Sequence, residues 1–214
     1  DPFILNFWLM LYEKYWRGEV DTIYMSVWYP KELIPEPVLK YTRDLLAKFP
    51  EIKVFWRDAW EYPEAANQFL LTQVTEEYVG MIESDGYVFG KGIVDQCFRL
   101  LENEKQDIVA PQWPLIYHDY FKKELGHIGF MRCFFFTKKS ILDKIDVYFF
   151  PKELKPDDLI PNTNIKVGQK LELDCFGWIS LQLLTMGLKI TTVPANILGP
   201  TNRNDIIAVC WSQD

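Results

Sequence analysis

An acidic tripeptide, Glu83-Ser84-Asp85, follows the apolar run at residues 78–82. That run is rich in strand-forming residues, so alternation along a strand would leave both carboxylates on the same side at its carboxyl end. Paired carboxylates are the hard oxygen ligands that Mg²⁺ and Mn²⁺ prefer, with water and substrate phosphate filling the remaining coordination positions. The tripeptide therefore indicates a divalent metal site, with an ordinary polar turn between a strand and a helix as the alternative.

A second acidic pair, Glu172 and Asp174, precedes an apolar segment predicted to be a helix over residues 177–186. A carboxylate in this place can act as a general base that accepts the proton of an attacking hydroxyl group. The same position also suits an acid that stabilises the helix N-terminus through the helix dipole. The spacing alone leaves both interpretations open.

The elements around these acids alternate between helices and strands. Strands that are apolar throughout and separated by helices are typical of a mostly parallel sheet with helices on both faces, which binds ligands beyond the carboxyl ends of its strands. Residues 150–170 are rich in proline and polar residues and are predicted to be a long surface loop. The predicted helices are residues 3–17, 38–49, 63–74, 90–104, 138–144 and 177–186, and the predicted strands are residues 22–28, 53–56, 78–82, 107–111 and 131–136.

The composition is that of a globular protein. Of the 214 residues, 49% are hydrophobic and 25% are charged, which predicts one folded domain rather than disorder. The net charge of −7 argues against binding to nucleic acid or anionic lipid. The longest apolar runs fall short of the roughly 20 residues of a membrane span, so a soluble, cytoplasmic protein is expected. The four cysteines lack the paired spacing of a zinc or redox motif and are expected to be buried free thiols.

Several segments in the first half of the chain resemble the nucleotide-sugar half of GT-A glycosyltransferases. Residues 63–68 (PEAANQ) open an apolar helix, and the strand at residues 77–82 then leads into Glu83-Ser84-Asp85. In GT-A enzymes, especially the large inverting family 2, a segment of small residues with an asparagine leads in the same way into a strand and an acidic D-x-D motif. Asn67 is the asparagine of that segment here.

The second half of the chain continues the resemblance in the same order. Residues 106–111 are similar to the strand after the metal-motif helix, and residues 134–140 (FFFTKKS) are similar to the acceptor-side strand and its short helix. Glu172-Leu173-Asp174, with the helix after it and residues 187–190 (GLKI), resembles the acidic acceptor motif and the closing strand. The match covers about residues 3–195.

The resemblance implies a GT-A-like, Rossmann-like α/β fold with a mixed, mostly parallel sheet. It implies a single domain over residues 1–214, with a nucleotide-sugar half at about 1–111 and an acceptor half at about 112–214. Because the chain begins with Asp1 rather than methionine, excision from a longer chain is one interpretation.

The resemblance also assigns roles to individual residues. Asp85 would bind Mn²⁺ or Mg²⁺ directly, and Glu83 would bind the metal through water or contact hydroxyls of the donor. Ser84 and Asn67 would complete the nucleotide-sugar site. Asp174 would act as the general base, with Glu172 as the second choice. The partners implied are a nucleotide-sugar donor and a glycan or other hydroxyl acceptor.

Alternatives from other classes remain open at this stage. A retaining GT-A transferase would need no base at Asp174, and a sugar nucleotidyltransferase would also use acidic metal ligands on an α/β sheet. A binding module without catalytic activity would use the aromatic residues, 16% of the chain, to recognise carbohydrate or protein. Metal dependence would separate the enzymes from the binding module.

Overall fold

The computed structural model describes most of the chain: residues 2–30, 32–58, 63–82, 86–111, 134–145, 152–160, 164–168, 170–173, 175–193, 196–198 and 208–210. Helices and strands alternate along it. The helices are α1 (Pro2–Leu11), α2 (Glu36–Leu46), α3 (Pro63–Gln73), α4 (Ile93–Glu102), α5 (Lys139–Leu142) and α6 (Cys175–Leu184). The strands are β1 (Ile23–Trp28), β2 (Ile52–Arg57), β3 (Tyr78–Ile82), β4 (Ile108–Pro111), β5 (Phe134–Lys138), β6 (Lys152–Leu154), β7 (Leu171–Leu173), β8 (Ile190–Val193), β9 (Asn196–Leu198) and β10 (Ala208–Cys210).

The described strands form one four-stranded sheet and three strand pairs. The large sheet has the order β3-β5-β4-β8, in which β5 is antiparallel to both neighbours and β4 is parallel to β8. Strands β3, β4 and β8 therefore run in one direction and end at the same edge. Strands β1 and β2 pair in parallel, whereas β6-β7 and β9-β10 are antiparallel pairs. The prediction of a mixed α/β architecture is confirmed.

Helices cover both faces of the four-stranded sheet. Because side chains alternate along a strand, Phe135 points to one face and its neighbours Phe134 and Phe136 point to the other. Phe135 packs in a cluster with residues of α3 and α6, which include Leu71 and Trp178, and we call this the α3–α6 face. The opposite face packs against α1, α2 and α4.

Polar contacts tie the first turn of α4 to a distant part of the chain. Gly92 precedes this helix with φ +77, a conformation that glycine adopts without strain. The Glu19 carboxylate accepts hydrogen bonds from the backbone N–H groups of Gly92 at 2.6 Å and Asp95 at 3.2 Å. Since the first N–H groups of a helix have no partner within the helix, Glu19 supplies the acceptor that the sequence near α4 lacks.

Most predicted elements are present, with shifted ends. Strand β3 has the predicted bounds, whereas α4 begins three residues later than predicted, because Gly92 adopts a left-handed conformation before it. The predicted helix over residues 3–17 changes at Tyr12–Trp16 into a π-helical turn.

The prediction of a long surface loop at residues 150–170 is wrong for the described residues. Strand β6 pairs with β7 across this segment, and Leu159 forms a bridge with Lys166. Ile160 and Val167 are buried in the core on the α3–α6 face, so apolar side chains anchor the segment despite its polar composition.

Two further predictions concern thiols and membranes. Cys97 is a buried free thiol, as predicted, and burial, with a smaller contribution from the Glu19 carboxylate, raises its pKa to about 12. Within the part of the chain that the structure describes, no helix combines the length and apolar character needed to cross a bilayer.

Candidate functional site

The candidate site lies at the edge where β3, β4 and β8 end, which we call the carboxyl edge. Ile82, the last residue of β3, pairs with Phe134, the first residue of β5, and Pro111 of β4 pairs with Val193 of β8. The ends of β3, β4 and β8 and the start of β5 therefore lie along one edge of the sheet. Open α/β sheets bind ligands beyond the carboxyl ends of their strands. The acidic tripeptide follows Ile82 directly in the sequence.

Helix α3, which carries Asn67, precedes β3 in the chain, and residues 74–77 form the short connection between them. The helix contacts the β1–β2 pair, because the Phe69 ring lies 5.2 Å from the Phe55 ring and 4.2 Å from the Arg57 guanidinium. Asn67 shares a helix face with Leu71, which belongs to the same core cluster as Val79 of β3, and the Asn67 side chain is half-buried.

Helix α6 reaches the same edge by an equivalent connection. Residues 185–189 join α6 to β8 and include Gly187 with φ +67, the conformation common just after a helix C-terminus. Because β8 ends at the carboxyl edge, the helix that runs back against it begins there. Cys175, the first residue of α6, directly follows Asp174 in the sequence. Residues of both α3 and α6 belong to the core cluster on the α3–α6 face of the sheet.

The predicted acidic residues themselves are only partly described. Glu83, Ser84, Asp85 and Asp174 lie outside the described residues, and their assigned roles stay predictions. The backbone of Glu172 is the centre of β7, where it is the register partner of Glu153 on β6.

Asp107, one of the acids whose pKa is lowered, lies at the opposite edge of the sheet. It precedes β4 and accepts hydrogen bonds from the Lys138 ammonium at 3.1 Å and the Lys189 backbone N–H at 3.0 Å. Burial alone would raise the pKa of Asp107, but these hydrogen bonds and the positive charges of the two lysines outweigh it, so the pKa is lowered. Because Asp107 links residues of β4, β5 and the start of β8, this group stabilises the sheet.

The residues predicted to bind metal have suitable chemistry for it. Two carboxylates, with water and diphosphate oxygens, satisfy the octahedral preference of Mg²⁺, and Mn²⁺ takes the same ligands. Among the described residues, no group of three or more histidines, cysteines or acids is close enough to hold a metal ion.

The structure also shows an arrangement that the sequence prediction missed. The Arg43 guanidinium of α2 lies 5.5 Å from the ring centroid of Trp56 and 6.0 Å from that of Tyr29. Arg43 and Trp56 line a groove of about 270 Å³ between α2 and β2. Its one sequence signal is the alternation of Ile52, Val54 and Trp56, which puts three apolar side chains on one face of a strand.

The comparisons with known proteins assign no family. Neither the family models nor the curated proteins include a match to this chain. Since no family matches, the function of this protein is inferred from the elements that end at the carboxyl edge and from the residues that adjoin them in the sequence.

Proposed function

We propose that this protein is a glycosyltransferase that moves a sugar from a nucleotide-diphosphate sugar to a hydroxyl acceptor with inversion, on a GT-A-like fold. One observation carries the proposal. In the sequence, an acid-x-acid tripeptide directly follows β3, which ends at the carboxyl edge, Asn67 lies on the helix before β3, and Asp174 directly precedes α6. The resemblance to GT-A enzymes expects a donor site and an acceptor base on these three elements.

The donor half of the proposed site combines Glu83, Ser84, Asp85 and Asn67. Asp85 would hold the divalent ion, Glu83 would contact it through water or bind donor hydroxyls, and Ser84 and Asn67 would position the nucleotide sugar. When bound, Mn²⁺ or Mg²⁺ offsets the negative charge that develops on the leaving diphosphate. Of these four residues the structure describes Asn67, a half-buried residue of α3.

The acceptor half of the proposed site depends on the carboxylate before α6. Asp174 takes the proton of the acceptor hydroxyl while that oxygen attacks the anomeric carbon from the face opposite the diphosphate. The oxygen–carbon bond forms as the bond from carbon to diphosphate oxygen breaks, so the configuration inverts. Because Asp174 directly precedes the first residue of α6, the positive end of the helix dipole favours its ionised, proton-accepting form.

A thermal-shift panel tests the donor site. UDP-, GDP-, dTDP- and CMP-sugars are each added with and without Mn²⁺, since a ligand that binds only the folded state raises its stability. At 100 times the dissociation constant the gain is about 2.7 kcal/mol, which raises the melting temperature of a chain of this size by roughly 5–10 °C. We expect a manganese-dependent shift with one nucleotide class.

Two variants make the panel specific. Asp85→Asn should abolish the manganese-dependent shift without lowering the melting temperature of the free protein. Glu104→Gln is the matched control, because Glu104 is an exposed acid just before β4, at the far edge of the sheet, and this variant should respond like the unaltered protein. A panel without any shift, or an equal shift in Asp85→Asn, would refute the proposed donor site.

A further inference from the structure

A groove runs along the outer side of β2. Its walls are one face of α2, the connection at Phe49 and Pro50, and the β2 side chains of Ile52, Val54 and Trp56. No residue of β1 lines it, so the groove lies on the side of β2 that faces away from β1. Its volume of about 270 Å³ is below the range of about 300–1,000 Å³ that is typical of small-molecule sites.

The backbone of β2 is open along this groove. Strand β2 pairs with β1 on one side, and within the described ranges no strand pairs with its other side. An edge strand presents a row of N–H and C=O groups that can pair with another extended chain. Because the groove-lining residues of β2 alternate along the strand, an added strand would place every second side chain against the groove.

Basic side chains surround this edge although the protein is acidic. Lys53 and Arg57 lie on the face of β2 opposite the groove, over the rings of Tyr24 and Phe69, and Arg43 lies at the groove itself. Among the described residues, no carboxylate forms an ion pair with Arg43, which instead stacks on Trp56, a residue that is 36% exposed. A guanidinium held over aromatic rings can still donate hydrogen bonds to a carboxylate through its N–H groups.

The positive charges around β2 favour an acidic strand over a second copy of this chain. A second copy of this chain would pair β2 with β2 and bring lysine and arginine side chains opposite one another, which is destabilising. An acidic strand would meet opposite charges along the edge. We propose that the outer edge of β2 binds an extended acidic peptide segment of a partner protein as an added strand, with apolar side chains in the groove and a carboxylate on Arg43.

The test uses a defined peptide and the 214-residue protein. The probe is a fluorescein-labelled nine-residue peptide with glutamate at every even position, valine at positions 3, 5 and 7, and glutamate at positions 1 and 9, so that a carboxylate also faces the groove beside Arg43. Its binding is followed by fluorescence anisotropy. Two derivatives carry N-methyl groups, one on the three valines and the other on three of the even-numbered glutamates. Because alternate residues of an added strand point their N–H groups at the edge, one derivative should lose binding at least tenfold and the other should keep it. Equal binding of the two derivatives overturns the proposal.

Arg43→Gln and Lys40→Gln form a matched pair of variants. Both remove one positive charge from α2, but only Arg43 lines the groove, whereas Lys40 forms an exposed ion pair with Asp44. Because Arg43→Gln loses a charge-assisted hydrogen bond, this variant should bind the peptide about tenfold more weakly than the unaltered protein. Lys40→Gln should change the affinity for the peptide less than twofold. Equal effects of the two variants would overturn the docking geometry. Dodecanoate is tested as an alternative ligand of the groove. If dodecanoate binds, Arg43→Gln abolishes that binding, and the peptide does not bind, the groove binds an amphiphilic anion and the proposal is overturned.

Discussion

Gly80 in the middle of β3 lies against the ring of Phe136 on β5, and enlarging it tests this contact. The two residues are register partners, and a Cβ atom at Gly80 would lie 2.5 Å from Cε1 and 2.7 Å from Cδ1 of that ring. Both distances are far shorter than van der Waals contact. Phe136 is 1% exposed and packs edge-on against Phe98 and Phe134 at 5.0 Å, so its ring cannot move without disturbing both.

The size of the effect follows from two opposing terms. Overpacking a buried site costs about 1–3 kcal/mol. Replacing glycine by alanine also restricts the unfolded chain, which returns about 0.5–1 kcal/mol. Gly80→Ala should therefore lower the free energy of unfolding by about 1–2 kcal/mol.

Urea titration followed by circular dichroism measures this loss. Gly168→Ala is the control, because an added Cβ at Gly168 has no atom within 4 Å, and its midpoint should stay the same or rise slightly. Phe136→Leu in the Gly80→Ala background should recover part of the stability, since the shorter side chain makes room for the methyl group. If Gly80→Ala is as stable as Gly168→Ala, or if the two substitutions in β3 and β5 are additive, the steric argument is wrong.

Three further substitutions test other parts of the molecule. Asp107→Asn should cost about 1 kcal/mol at pH 7 in urea titrations. The lowered pKa of Asp107 means that its carboxylate stabilises the fold fully above the unfolded-state pKa of about 3.9. This advantage is lost as the pH falls through the folded-state pKa, so a deficit that persists in acid would contradict the role. Glu19→Gln should cost about 1 kcal/mol by weakening the cap of α4, and an unchanged urea midpoint would remove that role. Asp174→Asn should keep donor binding but slow sugar transfer about 100-fold or more in a product assay, whereas normal transfer would move the base to Glu172 or indicate retention.

Local sequence patterns predicted the elements whose signals are strong. The run at residues 78–82 is apolar and bounded by acids, so β3 has its predicted ends. The predicted strand at residues 131–136 overlaps β5, but its antiparallel direction depends on how a long connection returns to the sheet, which no local pattern encodes. Strands β6 and β7 have three residues each, which is too few to show alternation in the sequence. Between them, Ile160 and Val167 are buried, but the prolines and acids around these two residues gave the segment the composition of a surface loop.

The candidate site was predictable to a smaller extent. Periodicity predicted the helix that carries Asn67 and the strand before the acidic tripeptide, and α3 and β3 are present at those places. The cap that Glu19 provides to α4 joins residues more than 70 positions apart, and only the folded structure reveals it. The stacking of Arg43 on Trp56 was missed for the same reason, since a helix and an edge strand bring them together.

The reversed direction of β5 has a consequence for how this protein can be diversified. The chain leaves the sheet at Pro111 and re-enters it at Phe134, and both residues lie at the carboxyl edge. Because neither anchor has to move to the other end of the sheet, we expect the register of the four strands to tolerate insertions or deletions between these two points. The sheet fixes the positions of Pro111 and Phe134, and it does not fix the number of residues between them.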